Sequence, residues 1–413
     1  IAEIGSIGEG AAARTIDATG LHILPGVIDS QVHFREPGFE HKEDLASGSR
    51  SAVLGGVTAV FEMPNTKPAT TSADALAAKV RAATGRMHCD FAFFVGATRE
   101  NAGELGELER LPGAAGIKVF LGSSTGDLLV DDEATLARIL ATIKRRASFH
   151  SEDEARLRQR IGLQREGDPS SHYEWRDAQA ALASTERLLR LAAQAGKRVH
   201  VLHVSTAEEM VLLARHKDFA SVEVTPQHLT LAAPEAYERL GTKAQMNPPI
   251  RDRYHQARLW WGIERGVVDV LGSDHAPHML EEKAKGYPAT PSGMPGVQTL
   301  VPVMLDHVNA GRLTLARFVD LTSAGVQRLF GIAGKGRIAV GYDADLTIVD
   351  LKEERVIEGA WIGSKCGWTP FAGRKVRGWP KGTVVRGRLA MWEGELGEAR
   401  GAPVRFGEAL PRG

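Results

Sequence analysis

The sequence predicts a (β/α)8 barrel of the TIM type joined to a small β domain, a β-sandwich in class, built from the two chain ends. Three observations carry this. Eight short β-branched runs alternate with amphipathic helical stretches, the pattern of repeated βα units around a parallel sheet. The stretch that holds them, from about 24 to 335, is near the ~250 residues such a barrel needs. Residues 336 to 400 carry Gly-punctuated strand signals, GRIAVGYDADLTIVD and GTVVRGRLAMWEGEL, without long helical periods.

Taken in order, the expected barrel strands are 26–34, 58–65, 91–97, 116–122, 147–152, 198–205, 221–228 and 268–275. Between several of them, apolar residues recur at intervals of three and four, which predicts helices over 74–85, 133–146 and 185–198. The polar stretch 162–179 interrupts this rhythm between strands five and six and reads as an excursion near the barrel mouth. Residues 1–23 are assigned to the N-terminal part of the small domain, 24–335 to the barrel, and 336–413 to the rest of the small domain and a tail. Because the chain opens on IAEIGS as if inside a strand, the opening strands of that domain are expected to lie outside the sequence given.

Composition excludes several classes of function. Lys plus Arg equals Asp plus Glu, 51 each, so no global field favours nucleic acid or an anionic membrane. Cys89 and Cys366 are far apart and form no CxxC pair, against a disulfide scaffold or a structural zinc knuckle. No apolar run approaches the ~20 residues of a membrane span. These features predict a cytoplasmic enzyme with a small-molecule substrate.

Polar and ionisable residues end otherwise apolar strands, which is where a barrel enzyme places its chemistry. They are His33, Lys118, His150, His203 and Asp274. Strand ends converge on one small volume, and imidazoles with a carboxylate suit zinc or a related divalent ion. Each residue alone is unremarkable, since a lone strand-end His is more often a satisfied core or loop residue; His200 and His228 are left unassigned on that ground. Lys118, between Ile117 and Val119, is harder to dismiss, because a charge inside a barrel must be paired or removed.

The runs LPGVIDSQVHFREPG, FEMPNT, GIKVFLGSS, FHSEDE, VLHVST, MNPPIR, GSDHAPH and SGMPGVQTL, in that order, resemble the class I dihydroorotases of the amidohydrolase superfamily over nearly the whole chain. The resemblance implies reversible hydrolysis of L-dihydroorotate to N-carbamoyl-L-aspartate, a step of pyrimidine synthesis, by a metal-activated hydroxide. It also implies that Lys118 is carboxylated by CO2 and bridges metals, with His150 and His203 on one ion and His33 and Asp274 on the other. Asp274 would act as general base and acid. Arg35, Asn65 and His278 match the positions that recognise the substrate carboxylate; Arg35, two residues past His33, is expected to point the same way. Asn247 matches a position at the ring edge, and 292–298 reads either as a loop near the substrate or as a turn before a helix. Related proteins suggest a homodimer.

Gln31 departs from this pattern. It stands where a His is expected, and its neutral amide oxygen is a weaker zinc ligand than imidazole. Three outcomes follow: Gln31 coordinates weakly, a single ion (zinc, by expectation) sits on Lys118, His150 and His203, or the chain is a non-catalytic dihydroorotase-like partner protein. A hydantoinase, dihydropyrimidinase or allantoinase would share the lysine and histidines, but would gain little from Arg35 and Asn65 together.

Overall fold

The computed structural model describes residues 1–7, 15–122 and 128–407. Eight parallel strands follow one another around a barrel: β2 (Val27–Val32), β3 (Val57–Glu62), β4 (Asp90–Gly96), β5 (Ala114–Phe120), β6 (Ala147–His150), β7 (Val199–Val201), β8 (Ala220–Val224) and β9 (Val270–Leu271). All eight expected strands are present. The ring closes just past β9, where Val32 bridges His275 in parallel and His33 N–H donates to the His275 carbonyl at 2.7 Å. Asp29 reinforces the seam, accepting from the Ser273 backbone N–H at 2.9 Å and from that of Gln31 at 3.2 Å.

Both faces of these strands are covered, so both alternations are apolar, as expected of a parallel sheet. In β3, Val57 and Val60 belong to the large cluster under the outer helices, whereas Ala59 and Phe61 face inward with Ile28, Phe94 and Phe330. Helices cover Ala73–Ala83, Glu133–Thr142 and Ala178–Ala195. The last begins earlier than its apolar period suggested, because the Asp177 side chain accepts from Ala180 N–H as an N-cap; it ends where Gly196 turns left-handed at φ 63°.

The small domain is a single antiparallel sheet among the described residues, and it is built from both chain ends: β1 (His22–Pro25), β10 (Leu346–Val356), β11 (Lys375–Val385), β12 (Arg388–Trp392) and β13 (Glu395–Leu396), in that spatial order. Its opposing layer comes from the barrel side, where helix Leu300–Asn309 packs on β11. Residues 402–406 then leave this sheet and return to the N-terminal ends of the barrel strands: Pro403 bridges Phe91, and Phe406 bridges Ile332. The excursion after β6 folds as helix Glu154–Arg160, a short turn and helix Ser171–Trp175. Residues 123–127, the end of the GIKVFLGSS motif among them, lie outside the described residues, as do 8–14 and 408–413.

Candidate active site

At the C-terminal ends of the strands is a cavity of about 100 Å³ lined by Gln31, His33, Arg35, Asn65, Lys118, His150, His203, Asn247 and Asp274, among others. Nine of the ten residues singled out from the sequence thus meet in one place. The tenth, His278, sits one layer back behind Arg35.

Several of these side chains are aimed by backbone that has already left the sheet. His33 follows β2 directly, and His203 and Asp274 lie beyond the last paired residues of β7 and β9. Arg35, His203 and Asp274 have φ of 67°, 36° and 43°. Non-glycine residues seldom take such angles, and they concentrate where a site fixes a side chain against local preference. Arg35 therefore reaches the cavity through a left-handed turn, not by the strand alternation that the sequence suggested. Gly293 completes the rim with φ 137°; a Cβ there would lie 2.5 Å from the Ala276 carbonyl oxygen.

His33 and His150 present lone pairs inward. His33 Nδ1 is 2.8 Å from Asn65 Oδ1, an acceptor, so the ring proton lies on that side and Nε2 faces Asp274 Oδ1 at 3.1 Å as a second acceptor. His150 Nε2–H donates to Glu152 at 2.8 Å, leaving Nδ1 turned toward His203 Nε2 at 3.0 Å. Burial shifts all three rings toward the neutral form, His203 the furthest. Neutral ring nitrogens and a carboxylate gathered around one cavity form a donor set that fits a divalent ion. Burial would raise Asp274, but the His33 contact and its interactions with His203, His33 and the Lys118 amine outweigh it, leaving a carboxyl well below its usual range.

Lys118 is 1% exposed, and burial pushes its ammonium down to about 7. It makes no ion pair among the described residues and lies 4.5 Å over the Phe120 ring. A large neutral fraction near pH 7 makes the amine nucleophilic, which resolves the cost of burying a lysine there. Arg35 is also buried; its Nε donates to the Pro277 carbonyl at 3.2 Å, and it has no carboxylate partner among the described residues. Burial lowers it to about 10, still fully charged. His278 is itself engaged: Nδ1 accepts from Lys42 at 3.2 Å and Nε2–H donates to the Ser292 carbonyl at 3.0 Å.

Sequence reasoning missed the residues that hold this constellation. Glu152 steadies His150 and is gripped by Arg176 from the excursion, Nε to Oε1 at 3.1 Å. His172 donates to Asn247 Oδ1 at 2.9 Å, which leaves the Asn247 amide N–H2 as its free donor. Glu223 lies below the site, receives Ser30 Oγ–H at 2.9 Å, and is pushed by burial up to about 8. Only Glu152 left a signal, as an acid two residues past His150 in a run that is otherwise buried. His200 and His228 have structural partners, Ser221 Oγ at 2.9 Å and Thr225 Oγ1 at 2.8 Å. A second acidic cluster, Asp90, Asp343 and Asp345, is already filled by the Lys335 ammonium, 2.5, 3.3 and 2.6 Å from the three carboxylates. That is a buried ion-pair knot at the far end of the barrel, with a lysine where a cation would sit.

The amidohydrolase family model matches residues 22–390. This chain belongs to the amidohydrolase family. Among similar amidohydrolases, a dihydroorotase of Halobacterium salinarum is 40% identical over 380 residues, spanning 90% of this chain and 87% of that protein. An allantoinase of Rubrobacter xylanophilus is 36% identical over 412 residues, covering 96% and 90%. Among solved structures, the L-hydantoinase of Arthrobacter aurescens superposes with a TM-score of 0.90 at 31% identity, covering 96% and 91%. No helix among the described residues is long and apolar enough to cross a membrane.

Proposed function

We propose that this amidohydrolase is a dihydroorotase, interconverting L-dihydroorotate and N-carbamoyl-L-aspartate in the cytoplasm, as a homodimer. The observation that carries the substrate class is Arg35: a buried guanidinium on the cavity wall with no carboxylate of its own among the described residues. A planar charged fork without a partner suits a substrate carboxylate, which it can grip by two parallel hydrogen bonds. The Asn65 amide N–H2, with its oxygen already committed to His33, is a second donor for the same group. His278 lies behind Arg35, its Nε2 3.3 Å from Arg35 Nη2, and the Asn247 amide faces the ring edge.

A divalent metal, zinc by preference of imidazole and carboxylate ligands, would draw its ligands from among Lys118 carboxylated by CO2, His150, His203, His33 and Asp274. When bound, it polarises the amide carbonyl and lowers the pKa of the attacking water. Asp274 takes the proton of that water as its oxygen adds to the carbonyl carbon. The same carboxyl then passes the proton to the ring nitrogen as the C–N bond breaks. In the ring-closing direction the ureido nitrogen attacks the side-chain carboxyl, and the proton moves the other way.

The second reading is a hydrolase of neutral cyclic amides, favoured by the allantoinase and hydantoinase similarities. Ring opening of dihydroorotate, hydantoin and allantoin under one metal condition separates the two. Turnover of dihydroorotate alone is expected, and turnover of neutral rings without dihydroorotate would sink the first reading. An Asp274→Ala protein indistinguishable from the parent in metal-replete buffer would instead mean a non-catalytic partner protein.

A further inference from the structure

Gln31 is 1% exposed, inside β2, and its amide has one satisfied end and one orphaned end. Nε2–H donates to Asp274 Oδ1 at 3.0 Å, whereas Oε1 is buried with no hydrogen-bond partner. The opposite amide orientation would set two acceptor oxygens 3.0 Å apart, which only a cation between them would reconcile. Asp274 Oδ1 is thus already served by an amide N–H on one side and faces His33 Nε2 at 3.1 Å on the other. A carboxylate oxygen that accepts a hydrogen bond gives up part of its capacity to bind an ion.

On the other side of the cavity no amide donor faces the ring nitrogens among the described residues. His150 Nδ1 and His203 Nε2 face each other at 3.0 Å, with the far nitrogen of His150 held by Glu152. Lys118 adds a third group from β5. An orienting carboxylate behind a ligating imidazole is a common support for tight metal binding.

We propose that this chain holds one tightly bound divalent ion, on Lys118, His150 and His203, and that Gln31 acts as a hydrogen-bond donor that orients Asp274 instead of as a metal ligand. This rests on the metal-centre reading above but not on the choice of substrate. An imidazole at position 31 would restore a strong ligand beside His33 and Asp274, where a neutral amide provides none.

The test counts ions. The full chain, loaded with zinc and freed of loose metal by passage through a weak chelator, is expected to retain about one ion per chain, and Gln31→His about two. Cobalt titration followed by visible absorption should level at one and two equivalents respectively. Gln31→Leu keeps about one ion, because no ligand is lost; its kcat falls on the order of tenfold, the loss of one hydrogen bond to a charged group, while KM stays within about twofold. Two ions retained by the parent, or one by a folded Gln31→His protein, would overturn the inference. So would loss of the ion from Gln31→Leu, which would make Gln31 a ligand. If neither parent nor variants retain metal, the metal-centre reading falls and takes this inference with it; absent turnover of dihydroorotate with one ion retained leaves it standing.

Discussion

Arg35 gives up a relaxed backbone and a solvated charge to stand at the cavity wall, a combined penalty of roughly several kcal/mol that the surrounding carboxylates, Asp274 and Glu62 first among them, offset only in part. Replacing it with Met keeps the volume and removes the fork. For an anionic substrate kcat/KM should fall on the order of 100-fold, about 2.7 kcal/mol, with any turnover of a neutral ring unchanged. Equal losses on charged and neutral substrates would show that Arg35 shapes the cavity and does not read charge. Glu209 is a second residue whose burial has a measurable consequence. It accepts from Thr185 at 2.9 Å and Thr206 at 2.8 Å, and burial pushes its carboxyl from 4.5 up to about 7. The folded state therefore holds this proton more tightly than the unfolded state, so the stability it contributes is full below about 4.5 and lost as pH rises through about 7. Glu209→Gln should exceed the parent by about 3 kcal/mol at pH 8 and match it near pH 4.5, as read from urea unfolding. A gap independent of pH would refute this. Residue identities were legible in the sequence wherever a polar group ended an apolar run, as at His33, Lys118 and His150. What could not be read was direction: the left-handed turns at Arg35, His203 and Asp274 follow from the closing geometry of the barrel, not from their own preferences.

At the scale of elements, the excursion after β6 does more than decorate the mouth. It returns Arg176 to the buried carboxylate of Glu152, which orients His150, and it places His172 on Asn247. One non-local segment thus braces both His150 and Asn247 on the cavity wall. Sequence periodicity could locate this segment by its polarity, but not its partners, because the contacts join residues 24 and 75 positions apart. Strand lengths were overread for a related reason. The run at 268–275 forms only two paired residues in β9, and the rest curls over the mouth carrying Asp274. Glu152→Gln should weaken metal retention about 10- to 100-fold while the fold persists, since the imidazole keeps a partner but loses a charged one. Arg176→Met leaves Glu152 as an uncompensated buried charge and should destabilise by about 3–5 kcal/mol. Combining the two changes should recover much of that loss, because the pair shares one interaction. Strict additivity in chemical denaturation would show that Arg176 acts elsewhere.

Across the whole molecule, chemistry and closure are separated to opposite ends of one barrel. The C-terminal strand ends hold the cavity, while the N-terminal ends are sealed by the returning tail. Val404 N–H donates to Phe91 O at 2.8 Å, and Phe406 packs 5.8 Å from the Phe61 ring within the inner cluster of Phe94 and Phe330. Residues 336–413 were expected to hold the rest of the small domain and a tail, and nothing local in RGAPVRFGE marks that tail as part of a barrel core. Its placement ties the small sheet to the barrel: the chain leaves the barrel through β10, crosses the sheet, and comes back to plug the floor. Phe406→Ala removes a ring that is only 4% exposed, with a loss of about 3 kcal/mol expected for such a truncation. Because the ring lies at the end away from the cavity, kcat and KM at 25 °C should stay at parental values while the urea midpoint falls. The small sheet and the barrel should still unfold in a single transition, as followed by the tryptophans of the sheet and by far-ultraviolet circular dichroism. If the tail merely rests on the floor, the midpoint will not move. If it joins two independent bodies, the variant will split the transition, with the sheet and the barrel melting at different urea concentrations.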